Sequence, residues 1–161
     1  MKTVEEIYTL LDEVKDPEIP VLTVNDMGII RDVQWNEDEL TVTITPTYTG
    51  CPAMDLIESQ IKEELEKHNM HNVKVATTLS PPWSTDWISE DGLKKLEEFG
   101  IAPPVKGTAD KRELFAEAPK PRCPYCKSED TQMISAFGST ACKSQYKCNS
   151  CLEPFDYFKC I

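Results

Sequence analysis

Apolar and polar residues follow two rhythms along the chain, separated by a stretch that has neither. Val4, Ile7, Leu10, Leu11 and Val14 recur every three or four positions, so the spacing predicts an amphipathic helix. Thr3-Val4-Glu5-Glu6 in front of it has the form of a capping box, and Asp16 before Pro17 should end it near Lys15. The period then shortens to two. Ile29 to Trp35 reads as a strand and Asn36-Glu37-Asp38-Glu39 as a polar turn. Leu40, Val42 and Ile44, alternating with Thr41, Thr43 and Thr45, read as a second strand running to Thr47, which completes a hairpin with one buried face. Helical spacing returns at Met54, Ile57, Ile61 and Leu65, with Glu58/Lys62 and Glu63/Lys67 paired on the polar side. Val73, Val75, Thr77 and Leu79 form a third strand that Ser80-Pro81-Pro82 halts, and Ser89 can cap a last helix closed by Gly100. Helix, hairpin, helix, strand is the order of a compact α+β domain, a small sheet with helices on one face, expected over residues 1–102.

Beyond Ala102 the rhythm is lost. Residues 103–121 are rich in Pro, Lys, Gly and Ala and read as a linker that Leu114 and Phe115 can anchor. Residues 122–161 read as a small all-β zinc ribbon, because their cysteines come in pairs. Cys123-Pro124-Tyr125-Cys126 and Cys148-Asn149-Ser150-Cys151 lie 21 residues apart, close to the spacing of a four-cysteine zinc site. Each pair can form a tight knuckle with two thiolates facing one ion. A segment of about 40 residues buries too little surface to fold unaided, so a structural metal should supply its stability. An iron–sulfur cluster on the same four thiolates is the other reading.

Charge changes the picture of partners. Residues 1–102 hold 21 Asp and Glu against 8 Lys and Arg, whereas residues 103–161 hold 7 against 9. A surface that acidic disfavours nucleic acid, whose phosphates need clustered positive charge. No apolar run approaches the roughly 20 residues of a membrane span, and the N-terminus lacks the basic and apolar regions of a signal peptide. The expectation is a cytoplasmic protein with no membrane partner, in which seven cysteines read as metal ligands or reactive thiols before disulfides.

Candidate chemistry in the first domain gathers at Thr47-Tyr48-Thr49-Gly50-Cys51-Pro52, a strand-to-helix corner. Proline is favoured at the first helical position, which makes Cys51 the expected N-cap, at the positive end of the helix dipole where a thiolate is favoured. The plain alternative is a small buried hydrophobe. Asp16-Pro17-Glu18-Ile19-Pro20 is a stiff acidic loop; helix termination explains its prolines but not its acids. Carboxylates near Cys51 would oppose its ionisation, whereas a bound cation would reverse that conflict. Thiol catalysis would want a base, yet His68 and His71 lie at the far end of the helix, roughly 20 Å away at 1.5 Å per residue. Trp83 and Trp87 either seal a core edge or form a docking patch. Cys142 and Cys160 stand outside the pairs, as buried strand residues or as accessory thiols.

The order Asp16-Pro17-Glu18, Thr47 to Pro52, Pro81-Pro82-Trp83 resembles the family of iron–sulfur cluster assembly factors related to the cytosolic targeting-complex proteins, over residues 1 to about 102. Phe137-Gly138-Ser139-Thr140-Ala141-Cys142-Lys143, the second cysteine pair, and Glu153-Pro154-Phe155-Asp156-Tyr157-Phe158-Lys159-Cys160 resemble the D-subunit family of the bacterial ring 1,2-phenylacetyl-CoA epoxidase complexes. This resemblance implies an accessory protein of aerobic phenylacetate breakdown, not itself an enzyme, that helps mature an iron or iron–sulfur centre in partner subunits. It implies Asp16, Glu18 and Cys51 as functional residues, a transient iron or iron–sulfur cargo, and epoxidase subunits and iron–sulfur assembly proteins as partners; homodimerisation is left open. One departure from zinc ribbons stands out: Lys127 follows the first knuckle where many have glycine. An iron–sulfur electron-transfer or structural subunit, and a zinc-ribbon nucleic-acid module, are the competing functions.

Overall fold

The computed structural model describes residues 1–105 and 119–158. They form two compact units, Met1–Trp83 with Trp87–Gly92, and Ser84–Asp86 with the chain from Leu93 onward. The expected class, an α+β domain followed by a small all-β ribbon, is the one the chain adopts.

In the first unit, helix α1 spans Val4–Leu11 behind a complete capping box, with the Thr3 side chain accepting from the Glu6 amide and Glu6 accepting from the Thr3 amide. It ends earlier than its apolar spacing predicts. The amides of Asp12, Glu13 and Val14 reach back only three residues, after which Lys15 pairs antiparallel with Thr23 and leaves the helix before the proline. Strand β1 (Ile30–Asn36) and strand β2 (Glu39–Ile44) form the expected hairpin, joined at Glu37, whose φ is 56°. Strand β2 stops at Ile44 and not Thr47. The Thr45 amide still bonds Ile29, but Pro46 has no amide to offer. Helix α2 (Ala53–Lys67) then crosses over to strand β3 (Val73–Thr77), parallel to β2, so the sheet order is β1-β2-β3. Leu79, expected in that strand, is exposed where Thr78 and Ser80 bond in a turn.

The alternation of β2 has the consequence its period demands: Leu40, Val42 and Ile44 are buried, together with Ile7 and Leu11 of α1 and Ile57, Ile61 and Leu65 of α2. Trp83 belongs to this core and donates its indole N–H to the Met27 carbonyl at 2.8 Å. Trp87 is half-buried, with the Arg31 guanidinium 3.7 Å above its ring. Gly28 lies against it: at φ 68°, a Cβ there would meet the Trp87 carbonyl oxygen at 2.6 Å. Ser89 caps helix α3 (Glu90–Glu98), accepting from the Gly92 amide and donating to Asp26.

The second unit is a sheet of four strands in the order β4-β7-β6-β5, where β4 is Ile101–Ala102, β5 Thr131–Ser135, β6 Lys143–Cys148 and β7 Pro154–Phe158. Ile101 and Ala102, read from the sequence as the end of the first domain, pair in parallel with Asp156 and Tyr157 of the ribbon. Among the described residues its core cluster is Ala102, Tyr146, Phe155 and Tyr157 packed with Cys123 and Cys148. Tyr146 stacks on Phe155 and meets Tyr157 edge-on, and burial pushes its hydroxyl up to about 12 while it donates to the Pro119 carbonyl. Most of the expected linker, with Leu114 and Phe115, lies outside the described residues, as does Cys160.

Candidate metal centre and functional thiol

The four paired cysteines converge. The sulfurs of Cys123, Cys126, Cys148 and Cys151 all lie within 4.8 Å of one another, and among the described residues they are the one group of three or more potential ligands so gathered. Cys123 and Cys151 are 3.7 Å apart and Cys126 and Cys148 3.5 Å, so each close contact joins one knuckle to the other.

The knuckles repeat one local design 25 positions apart. In the first, the Cys123 amide donates to the Ser128 carbonyl and Lys127 sits at φ 65°; in the second, the Cys148 amide donates to the Glu153 carbonyl and Leu152 sits at φ 65°. The left-handed residue directly after each pair turns the chain back across the sulfurs. Glycine is usual there because a Cβ makes that conformation costly. At Lys127 other bonds offset the cost: its ammonium donates to the Pro124 carbonyl and pairs with Glu97 of α3, each at 2.9 Å. Glu97 also pairs with Arg122 at 2.9 Å, and the Lys127 and Arg122 bonds hold its carboxyl below the usual range against the opposing effect of burial. The Ser128 and Ser150 hydroxyls bond at 2.8 Å, and Asn149 bonds Asp130, tying the two knuckles together. The sequence reading missed Glu97, because its role depends on an ion pair across 30 positions that no local pattern announces.

The thiols of the cluster are not equivalent. The Cys151 and Ser150 amides point at the Cys148 sulfur at 3.5 and 3.4 Å and hold that thiol down to about 6. Cys151 resists ionisation: the Glu153 amide draws it down, but burial and the sulfurs of Cys126, Cys148 and Cys123 push it up to about 12. Four thiolates in this space repel one another unless a positive ion lies between them. Four sulfurs leave no open position, as in a site that holds structure and not as in one that performs chemistry.

Cys51 occupies the corner expected for it. The Cys51 amide donates to the Tyr48 carbonyl, closing a turn with Gly50 at φ 80°, the third position of a turn that favours glycine. One detail is corrected: the N-cap is Pro52, in helical conformation and with no side-chain cap bond, so Cys51 stands one residue before it. The reason is that the Cys51 carbonyl already accepts from the Met54 amide, in a tight first turn. The thiol is half-buried, neither sealed in the core nor fully in water.

Asp16 is buried, and its Oδ1 accepts from the amides of Glu18 at 2.8 Å and Ile19 at 2.9 Å, which explains one of the two acids as the lock of its own loop. Glu18 is half-buried. The two acids and Cys51 do not form a ligand group within 4.8 Å. His68 and His71 lie at the far end of α2, against Glu64 and Glu66 respectively. Cys142 is buried, its sulfur 3.0 Å from the Thr140 hydroxyl.

Comparison with known proteins gives this arrangement its class. Residues 4–77 match the family described as iron–sulfur cluster assembly protein, and residues 107–159 match the PaaD zinc beta ribbon domain. A domain of unknown function, DUF59, from Bacillus anthracis superimposes with a TM-score of 0.53 at 28% identity, over 57% of this chain and 89% of that one. An Fe-S protein maturation auxiliary factor of Porphyromonas gingivalis is 38% identical over 60% of this chain and 92% of its own length. A protein of Escherichia coli (strain K12), provisionally named as the D subunit of 1,2-phenylacetyl-CoA epoxidase, is 46% identical over 98% of this chain and 93% of its own length. The chain is thus an iron–sulfur assembly-type domain joined to a zinc-ribbon-type domain. It belongs to the family of that epoxidase D subunit.

Proposed function

We propose that the protein is an accessory factor that assists maturation or insertion of an iron or iron–sulfur centre in a phenylacetyl-CoA epoxidase complex, and is not itself the oxygenase. The observation that carries this reading is the pairing of two likenesses in one chain: nearly the whole length matches an epoxidase D subunit, and the first part matches a maturation factor. Cys51 is the functional thiol. It sits half-exposed at the corner between β2 and α2, where a soft ligand can meet iron cargo and release it. Glu18 and Asp16 are the acids that act with it on the same cargo, as hard oxygen ligands. The partners are epoxidase subunits and iron–sulfur assembly proteins.

In the ribbon the metal is zinc, held by Cys123, Cys126, Cys148 and Cys151; four thiolates on two knuckles suit a tetrahedral ion. When bound it neutralises the thiolates and cross-links the two ends of the ribbon. An iron–sulfur electron carrier on the same thiolates is the alternative, and zinc's lack of colour separates the two: visible absorption from protein purified without air would favour the cluster. The test of the main reading is Cys51→Ser in cells that express the complex. Epoxidase activity should be lost while the protein keeps normal abundance and ribbon metal, and full activity would show that the corner is packing.

A further inference from the structure

The second unit carries a cavity of about 340 Å³ that the metal centre does not use, walled by Phe99, Tyr125, Ile134 and Phe155, with Lys143 and Gln145 contributed by β6. Lys143 is only 6% exposed. Its backbone bonds Thr140 and Gly138, but its ammonium makes no hydrogen bond or ion pair among the described residues. The side chain's stem is packed while its ammonium reaches solvent, so the cavity offers an anion a cation that no described residue neutralises. Asp156 lies on the wall and forms no ion pair with Lys143, so an acid bound in the cavity is favoured at the lysine and repelled at the aspartate.

The apolar walls of the cavity are themselves open to solvent. Phe99, Tyr125 and Ile134 are each more than half exposed, and Phe137 is exposed in the loop that follows β5. Exposed clusters of large apolar side chains mark protein contacts. Strand β5, Thr131-Gln132-Met133-Ile134-Ser135, ends the sheet with no described strand on its outer side, and it carries neither charge nor proline to block pairing.

We propose that this face of the ribbon docks an extended segment of a partner protein, with an acidic residue paired to Lys143 and an adjacent apolar residue seated between Phe99, Tyr125 and Ile134. The segment adds to the open edge of β5, whose main chain supplies binding while the cavity supplies selectivity. The proposal is independent of the role of Cys51, so either can fail alone.

The test is selection of a displayed library of random heptapeptides on the full-length, metal-loaded protein. Recovered sequences should be enriched in an acidic residue next to an aromatic or branched one. A synthetic peptide of that sequence should bind about tenfold or more weakly to Lys143→Met, or with its acid replaced by the amide, since truncating one member of a desolvated charge pair costs at least that much. Asp156→Asn should tighten it. Amide shifts on titration should map to residues 99–101, 131–135 and 143–145. Should Lys143→Met lose its metal or fold, the exposed change Ile134→Glu and the amide peptide provide the same comparison. No enrichment, or binding indifferent to these changes, overturns the proposal. So does self-association through β5 that Ile134→Glu abolishes, which would make a second copy the occupant. Saturation of the same residues by micromolar 3-phenylpropionate would overturn it as well, by marking a small-molecule site.

Discussion

The two units hold their shapes by different means. The first buries a continuous apolar core from α1, α2 and the three-stranded sheet, with Leu11, Leu22, Leu40, Ile61 and Leu65 wholly inaccessible. Among the described residues the ribbon's core cluster holds Ala102, Tyr146, Phe155 and Tyr157, packed with Cys123 and Cys148, two of the four cysteines that converge. The first fold therefore rests on burial of apolar surface, and the second, in the reading we propose, on a cross-link that an ion completes. The pattern that makes a helix and a strand readable is the same pattern that makes burial sufficient. A ribbon without that pattern needs cysteines in its place.

The contrast breaks first at the metal. Cys126→Ser, or chelation, should remove the bound ion and melt the ribbon while the helical signal of the first unit survives, read by metal analysis and circular dichroism; unchanged metal content would refute the four-cysteine assignment. The converse change, Ile61→Ala, should cost the first unit about 2–5 kcal/mol and leave the ribbon's metal in place, as denaturant unfolding followed by tryptophan fluorescence will show. Truncation after Pro104 should leave a cooperatively folding first unit, since Leu11, Leu40, Ile61 and Leu65 are buried within α1, α2 and the three-stranded sheet; an aggregated or molten fragment would put the boundary elsewhere. Gly28→Ala should cost at least ~1 kcal/mol, because it adds a side chain at positive φ in the space of Trp87. The smallest effect lies at Glu97. Its carboxyl is held low by Lys127 and Arg122, so its contribution is present above the usual carboxylate range and is lost as pH falls through the lowered value. Glu97→Gln should remove that acid dependence at a cost under about 1 kcal/mol, as expected for a surface pair, with ribbon stability measured across the acid range.

Several residues show how far local pattern reaches. The capping box at Thr3, the strand at Leu40 to Ile44 and the α2 stripe at Ile57, Ile61 and Leu65 were legible, because each depends on neighbours within one turn or one pleat. Element ends were read less well. The chain after α1 is drawn off by a partner at a distance, Thr23, and β2 ends at Ile44 because Pro46 has no amide to carry the pairing further. Lys127 looked like a departure from ribbon geometry; it takes the left-handed conformation all the same, and its bonds to Pro124 and Glu97 are what the sequence could not display.

The sequence alone determined the order of elements, the pairing of four cysteines that the structure brings together, and the place of Cys51 at a strand-to-helix corner, since these follow from periodicity, spacing and the torsions of glycine and proline. Only the tertiary structure decided that Ile101 and Ala102 join the ribbon sheet, that Glu97 braces the first knuckle, and that Lys143 is buried without a partner among the described residues. Each of these depends on which distant groups share a small volume, and a chain's local pattern does not encode that distance.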